Sequence, residues 1–177
     1  MKRLYPTKAL HRVTEITPEL LEAMGVRGLL LDVDDTLSSH GSQTPWPGAV
    51  EWAAEMTQKG FRLLILSNNT GKRVAPFAEQ FGLPWLSRAA KPLPVGYLRG
   101  ARRLGLPLHQ CAAVGDQVFT DILGAGLCRM QSILLDPIDD NPERFPRRRR
   151  WEQSIRREVV ARERTKARRE GTKGGQE

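Results

Sequence analysis

Residues 28–37 read Gly-Leu-Leu-Leu-Asp-Val-Asp-Asp-Thr-Leu, an apolar run that passes directly into a cluster of carboxylates. The run has the character of a buried strand, so Asp32 and Asp34 fall where that strand ends and solvent begins. Crowded, partly buried carboxylates repel one another and lose hydration, and a divalent cation offsets that cost. This stretch therefore predicts a strand that leads into a cation-binding acidic loop.

Three further short signals follow along the chain, at points where an apolar run ends or a loop is expected. They are Ser67-Asn68-Asn69, Lys91-Pro92, and Gly115-Asp116 with Asp121 five residues later. Taken singly, such signals are typical of a turn, a solvated lysine and a helix start. Together and in this order, they predict a site that breaks a phosphate ester with a carboxylate nucleophile and a bound Mg²⁺.

The pattern of apolar runs predicts an α/β fold. Strands are expected at residues 28–33, 62–66, 84–86, 111–114 and 132–135, and helices at 47–59, 72–81, 94–104 and 120–125. Strands that are apolar on both faces and alternate with helices indicate a Rossmann-like parallel sheet with helices on both faces. Ligands of such sheets bind beyond the carboxyl ends of the strands, where Asp32, Ser67 and Asp116 fall.

The spacing of the motifs leaves no room for a cap domain. About 30 residues separate Thr36 from Ser67, and about 21 separate Asn69 from Lys91. A loop and one helix use the first interval, and the second is mostly one helix. An uncapped site is open, which suits a large or surface-bound substrate better than a small metabolite that must be enclosed.

These motifs resemble those of the haloacid-dehalogenase-like (HAD) phosphatases. The resemblance covers roughly residues 5–137, and segments 16–20 and 115–121 point to the YqeG-type group, which is similar to phosphatidylglycerophosphate phosphatases. It implies a HAD-like fold and an aspartyl-phosphate intermediate. Asp32 would be the nucleophile and Asp34 the general acid/base. Ser67 would hold a phosphate oxygen with help from backbone N–H groups near Asn68, and Lys91 would neutralise charge.

The resemblance also implies the metal ligands. Mg²⁺ would be bound by Asp32, Asp116 and Asp34, the last through its backbone carbonyl, with Asp121 as a supporting acid. Asp35 stands where this family more often has asparagine, and it would add a carboxylate near the metal. The expected reaction is Mg²⁺-dependent hydrolysis of a phosphomonoester. The resemblance favours phosphatidylglycerophosphate as the substrate, and nucleotides, sugar phosphates and phosphoproteins are the alternatives.

The net charge of +8 and the pI of about 10.1 come from the end of the chain. Residues 1–143 hold 15 basic and 15 acidic residues, whereas residues 144–177 hold 13 and 5. We expect a catalytic domain over residues 1–140 and a basic helical tail over 141–177, disordered from residue 171. Trp151, Ile155 and Val159 form an apolar stripe on this tail. The stripe is compatible with packing on the domain, with an anionic membrane surface and, less well, with RNA.

Cysteine usage and the N-terminus bear on location. Cys111 and Cys128 lie in apolar stretches without metal-ligand spacing, which indicates buried thiols in a reducing cytosol. No signal peptide or membrane-spanning run is recognisable, so we expect a cytoplasmic protein that is peripheral at the inner membrane face if the tail binds lipid. The alternative function is a non-catalytic, RNA- or ribosome-associated protein on the same fold, and the complete set of acidic residues argues against it.

Overall fold

Six parallel strands form one sheet in the computed structural model, which describes residues 4–139 and 150–162. The strands are β1 (Lys8–Leu10), β2 (Gly28–Leu31), β3 (Arg62–Leu66), β4 (Trp85–Leu86), β5 (Cys111–Gly115) and β6 (Gln131–Leu135). Their order across the sheet is β1-β6-β5-β2-β3-β4. The chain moves outward from β2 to β3 and β4 on one side, and then returns to build β5 and β6 on the other. The direction in which the chain adds strands therefore reverses between β2 and β5. Ligands of such sheets bind at the carboxyl ends of the strands at this topological switch point.

Five α-helices connect the strands. They are α1 (Pro18–Ala23), α2 (Ala49–Gln58), α3 (Gly71–Phe81), α4 (Pro94–Leu104) and α5 (Leu123–Leu127). A π-helical turn, Val118–Ile122, precedes α5, and short 3₁₀ turns occupy Val13–Glu15 and Leu108–Gln110. The left-handed glycines Gly82 and Gly105 end α3 and α4, as expected for residues that adopt positive φ at no steric cost.

The helices cover both faces of the sheet. Leu29 and Leu31 of β2 point into a core shared with α1, α2 and α3, whereas Leu30 points into a second core shared with α4 and α5. This alternation follows from the two-residue period of a strand, and it explains why consecutive residues in the central strands β2, β3 and β5 are apolar. The prediction of a parallel sheet with helices on both faces is confirmed.

Some predicted elements need correction. The strand predicted at 28–33 ends at Leu31, because the Val33 carbonyl oxygen accepts N–H groups from Thr36, Leu37 and Ser38 and turns the chain. The helix predicted at 120–125 is a π-helical turn followed by α5. Strand β1 and helix α1 were not among the predicted elements.

The site is uncapped, as predicted. Within residues 4–139, the chain between β2 and β3 contains a loop and α2, and the chain between β3 and β4 contains α3. Neither connection carries a further domain in the part of the chain that the structure describes.

The chain divides into two units, Met1–Asp140 and Asn141–Glu177. In the second unit, residues 150–162 form a helix, in which Ile155 and Val159 are buried and Trp151 is exposed. The arginines at 147–149 and the segment expected to be disordered, 171–177, lie outside the described residues. No helix among the described residues has the length and apolar character needed to span a bilayer.

Candidate active site

One lysine lies between two carboxylates at the carboxyl edge of the sheet. Asp32 directly follows β2, and its N–H donates to the Val114 carbonyl oxygen at 2.9 Å, which continues the ladder to β5 for one more residue. The Lys91 Nζ lies 2.7 Å from Asp32 Oδ1 and 2.8 Å from Asp121 Oδ1. Because the Lys91 side chain is only 3% exposed, both ion pairs are shielded from water.

Burial and charge act in opposite directions on the pKa values of this cluster. Burial raises the pKa of the Asp32 carboxyl and the charge of Asp121 adds to the rise, while the Lys91 ammonium opposes both without cancelling them. Burial by itself would lower the pKa of Lys91, but Asp121 and Asp32 outweigh it and raise that pKa. Lys91 is therefore charged at neutral pH, and a further cation beside Asp32 would favour the ionised carboxylate.

Asn68 fixes the backbone of Lys91. The Lys91 N–H donates to Asn68 Oδ1 at 2.7 Å, and Asn68 Nδ2 donates to the Lys91 carbonyl oxygen at 3.1 Å. The neighbouring Ser67 is buried, and its Oγ accepts the Asn69 N–H at 3.2 Å. These bonds hold the loop after β3 against the loop that carries Lys91. The phosphate-binding roles of Ser67, Asn68 and Lys91 stay predictions, and the Asn68 side chain is already used in positioning Lys91.

The turn before α5 brings Asp121 into the cluster. A methyl group on Gly115, the last residue of β5, would overlap the Asp121 carboxyl carbon, so a glycine there leaves room for the carboxylate. Asp121 Oδ2 accepts the Gln117 N–H and the Thr120 hydroxyl, each at 3.3 Å. The buried Tyr97 hydroxyl donates to the Thr120 carbonyl oxygen at 2.8 Å and fixes the turn from below.

Three carboxylates form a candidate metal site. Asp32, Asp116 and Asp121 each offer an oxygen, and these oxygens all lie within 4.8 Å of one another. Within residues 4–139 and 150–162, no second group of histidine, cysteine or acidic side chains meets this criterion. An all-oxygen donor set suits Mg²⁺, so the residues present fit that ion. The Asp34 carboxylate is not part of the group, which leaves its backbone carbonyl as the predicted ligand.

The Asp34 carboxylate is bound by other groups. Its Oδ1 accepts an Arg73 Nη2 hydrogen at 2.7 Å and the Gly41 N–H at 2.9 Å, and its Oδ2 accepts from Asn69 Nδ2 at 2.6 Å. Burial raises the pKa of this carboxyl, but the Gly41 hydrogen bond and the Arg73 charge lower it by more. Asp34 is therefore ionised in this arrangement, which is the form that a general base requires.

Arg73 is a residue of the site that the sequence analysis did not identify. Besides its ion pair with Asp34, its Nη1 donates to the Gly41 carbonyl oxygen at 2.8 Å. It thus joins the first turn of α3 to the loop after β2. Its position soon after Ser67-Asn68-Asn69 was the available signal, but an arginine on an amphipathic helix is usually a solvated residue.

Asp35 contributes to the loop after β2. Its φ of 59° lies in the left-handed region, which aspartate tolerates better than most residues. Its Oδ1 accepts the His40 N–H at 3.2 Å and the Asp139 N–H at 3.3 Å. The extra carboxylate expected near the metal is thus engaged with backbone N–H groups, and it is not among the grouped oxygens.

Comparison with known proteins identifies the family. The sequence matches the family described as haloacid dehalogenase-like hydrolase over residues 9–128, which is more than half of the chain. The chain belongs to the haloacid dehalogenase-like hydrolases. The family predicted from the sequence motifs is confirmed. Asp32, Asp34, Lys91 and Asp116 all lie within the residues that match the family.

Two curated relatives agree with this membership. A probable phosphatase YqeG from Bacillus subtilis (strain 168) is 34% identical over 137 residues, which cover 77% of this chain and 80% of the relative. The chloroplastic phosphatidylglycerophosphate phosphatase 1 of Chlamydomonas reinhardtii is 27% identical over 149 residues, which cover 79% of this chain and 55% of that relative.

Solved structures support the haloacid dehalogenase-like fold. An uncharacterized protein from Listeria monocytogenes serotype 4b has a TM-score of 0.55 at 18% identity, over 67% of this chain and 80% of that one. NagD from Escherichia coli K-12 has a TM-score of 0.53 at 13% identity, over 68% and 93%. At these identities the likeness concerns the fold alone.

Proposed function

We propose that this hydrolase is a Mg²⁺-dependent phosphomonoester phosphatase that acts through an aspartyl-phosphate. The observation that carries the proposal is the position of Asp32. Its carboxylate lies at the switch point of the sheet, 2.7 Å from the buried Lys91 and grouped with the oxygens of Asp116 and Asp121. A nucleophilic carboxylate beside fixed positive charge is what phosphoryl transfer requires.

The two chemical steps are divided between Asp32 and Asp34. An Asp32 oxygen forms a bond to phosphorus while the bond to the leaving alcohol breaks, and protonated Asp34 gives its proton to that alcohol oxygen. In the second step Asp34, now ionised, takes a proton from the attacking water, and the phosphorus–Asp32 bond breaks to release phosphate. Arg73, Asn69 and Gly41 stabilise ionised Asp34, which is the form that the proposed second step requires.

Charge stabilisation is the contribution of the remaining residues. Lys91 stays protonated and would neutralise the charge of the Asp32 carboxylate and of the phosphoryl oxygens. Asp32, Asp116 and Asp121 would hold Mg²⁺, which supplies positive charge to the transferring phosphoryl group. Ser67 and the N–H groups after β3 lie at the same edge of the sheet, and in this proposal they would bind a phosphate oxygen.

A soluble aryl phosphate tests this proposal. We expect the wild-type chain to hydrolyse it with Mg²⁺ and to lose activity in excess chelator, without rescue by Ca²⁺, whose looser coordination does not meet the octahedral requirement. Asp32→Asn should remove detectable turnover and the phosphoenzyme seen by mass spectrometry after rapid acid quench. Glu55→Gln, an exposed acid on α2 that pairs with Lys59, is the matched control. Wild-type turnover by Asp32→Asn, or full turnover without metal, would refute the mechanism.

We further propose a lipid phosphate as substrate and the basic tail as an attachment to anionic membrane. The similarity to a phosphatidylglycerophosphate phosphatase supports the substrate class, and the 13 basic residues of 144–177 support the attachment. Phosphatidylglycerophosphate in mixed micelles should be turned over faster than glycerol phosphate. A chain truncated before Arg147 should bind anionic vesicles more weakly than the full chain at low salt. Equal binding by the truncated chain, or preference of the full chain for RNA, would count against the tail's role.

A further inference from the structure

Three large apolar side chains are exposed at the start of α4. Leu93, just before the helix, is 58% exposed, and Val95 and Leu98 are 50% and 48% exposed. Single exposed apolar residues are ordinary, but three within six residues on one short segment form a patch. The opposite face of α4 is buried, with Tyr97 and Ala101 in the second core. The patch is therefore a surface that residues 4–139 and 150–162 leave exposed.

The same side of α4 continues into arginines. Val95, Leu98, Arg99 and Arg102 are spaced i, i+3, i+4 and i+7 and are all exposed, so they share one face. We call Leu93 together with these four residues the α4 face. An α-helix rises about 1.5 Å per residue, so Arg99 and Arg102 lie about 6 and 10 Å along the axis from Val95. The face is apolar at its tip and cationic one to two turns behind it.

The sequence segment that contains this face has no acidic residue. No aspartate or glutamate occurs between Glu79 and Asp116, although residues 1–143 as a whole are balanced. The 36 residues from 80 to 115 hold five basic side chains, of which Lys91 is buried in the site and the other four are exposed. Helix α5, which packs against α4, contributes Leu127 to the exposed apolar residues and has no acidic side chain. The surface is thus complementary to an anionic partner.

The tip of the α4 face adjoins the site. Lys91, which contacts Asp32, is separated from Leu93 by one residue, and two residues of extended chain span at most about 7 Å. Helix α4 therefore begins at the same edge of the sheet as the candidate active site. Whatever surface contacts Leu93 and Val95 is brought close to the phosphate-binding edge.

We propose that the α4 face docks on an anionic bilayer, with Leu93, Val95 and Leu98 in the interfacial layer and the arginines among the lipid phosphates. Interfacial segments bury their apolar side about 5–10 Å deep, and arginines beside the apolar side chains can keep their charged ends at the level of the lipid phosphates. Docking itself does not depend on the proposed phosphatase. Its use, to hold an open site over a lipid phosphate in the same membrane, rests on that proposed function.

Vesicle co-sedimentation of the full chain tests the docking. Vesicles of 30% phosphatidylglycerol in phosphatidylcholine are compared with pure phosphatidylcholine at two salt concentrations. Each arginine near an anionic surface is worth about fivefold in partitioning, so Arg99→Gln/Arg102→Gln should weaken binding about 10–30-fold at low salt. Leu93→Asn/Val95→Asn/Leu98→Asn should weaken it at both salt concentrations. The matched control is Arg27→Gln/Lys59→Gln, which removes the same charge at the opposite edge of the sheet.

Three results would overturn the proposal. The first is unchanged vesicle binding by both α4-face variants, which would leave the tail as the membrane contact. The second is equal weakening by the Arg27/Lys59 control, which would reduce the effect to net charge. The third combines two observations: light scattering finds a dimer for the wild type and a monomer for the triple asparagine variant, and the two proteins bind vesicles equally. That result would assign the α4 face to contact with a second copy of the chain. Circular dichroism checks that the variants fold.

Activity separates this proposal from the one on which it builds. If docking serves catalysis, the ratio of turnover on a lipid phosphate in vesicles to turnover on a soluble aryl phosphate should fall in the α4-face variants. If the wild-type chain hydrolyses neither substrate but binds anionic vesicles through the α4 face, the proposed phosphatase fails and the docking stands. If both substrates are hydrolysed and the ratio does not change, docking has no part in turnover and that use of the face is refuted.

Discussion

Replacing Lys91 with methionine should destabilise the metal-free protein more than any surface charge change. The substitution keeps most of the side-chain volume but removes an ammonium that lies 2.7 and 2.8 Å from two carboxylates. Breaking a buried ion pair typically costs about 3–5 kcal/mol, because a charge is left buried without its partner. For a chain of this size that corresponds to a melting temperature lowered by roughly 6–20 °C.

The loss of stability in Lys91→Met should depend on pH and on the presence of Mg²⁺. Lys91 lowers the pKa of Asp32, so its removal raises that pKa further above the value in the unfolded chain. The folded variant then binds more protons than the unfolded chain in the window between the two pKa values, and its stability falls as pH rises through that window. The deficit should therefore be larger at pH 8 than at pH 5. Mg²⁺ should restore part of it, since a cation again neutralises the cluster.

Urea unfolding followed by circular dichroism measures these effects, at pH 5 and pH 8, with chelator or with Mg²⁺. Lys59→Met is the matched control, since Lys59 forms an exposed ion pair with Glu55 at 3.1 Å and such pairs contribute about 0.5 kcal/mol or less. Equal unfolding midpoints for Lys91→Met and wild type at pH 8 in chelator would refute the inference that Lys91 neutralises a buried acidic cluster.

Three other changes are informative. Arg73→Ala removes a cation that lowers the pKa of Asp34, so the limb of the pH–rate profile that reports ionised Asp34 should move to higher pH. Arg73→Lys should move this limb part of the way back. A limb that does not move in Arg73→Ala would contradict the proposed role of Arg73. Gly115→Ala should displace Asp121 and lower the free energy of unfolding by about 1–3 kcal/mol in urea titrations. It should also weaken Mg²⁺ binding measured by calorimetry. An unchanged Mg²⁺ affinity would count against a role of Asp121 in metal binding. Burial raises the pKa of Cys111 to about 11. Iodoacetamide at pH 8 should therefore label this thiol slowly in the folded protein and readily in urea. Rapid labelling of the folded protein would show that the Cys111 thiol is accessible.

The sequence was most informative where the structural cause is local. The buried strands β2, β3, β5 and β6 each contain an uninterrupted apolar run, and α3 and α4 end at glycines that adopt positive φ. Strand β1 has three half-buried residues at the sheet edge and no run long enough to be recognised. Its existence depends on pairing with β6, which is specified about 125 residues later.

Among the site residues too, the sequence was informative where the structural cause is local and uninformative where the cause is a distant partner. Asp32 was identifiable because a carboxylate directly after a buried strand is unusual, whatever the rest of the fold. Arg73 was not, because its partner Asp34 lies 39 residues away and nothing near Arg73 distinguishes it from a solvated arginine. The inward position of Asp121 depends on a π-helical turn and on the space at Gly115, neither of which has a periodic sequence signal.

The pairing of β1 with β6 has a consequence for synthesis on the ribosome. Residues 8–10 leave the ribosome early, but their partners, residues 133–135, are made more than 120 residues later. Until then β5 has an open edge where β6 belongs, and unpaired strand edges are templates for association with other chains. A chain that ends before residue 131 would therefore leave the β5 edge unpaired, and we expect that form to be more prone to aggregation than the full chain.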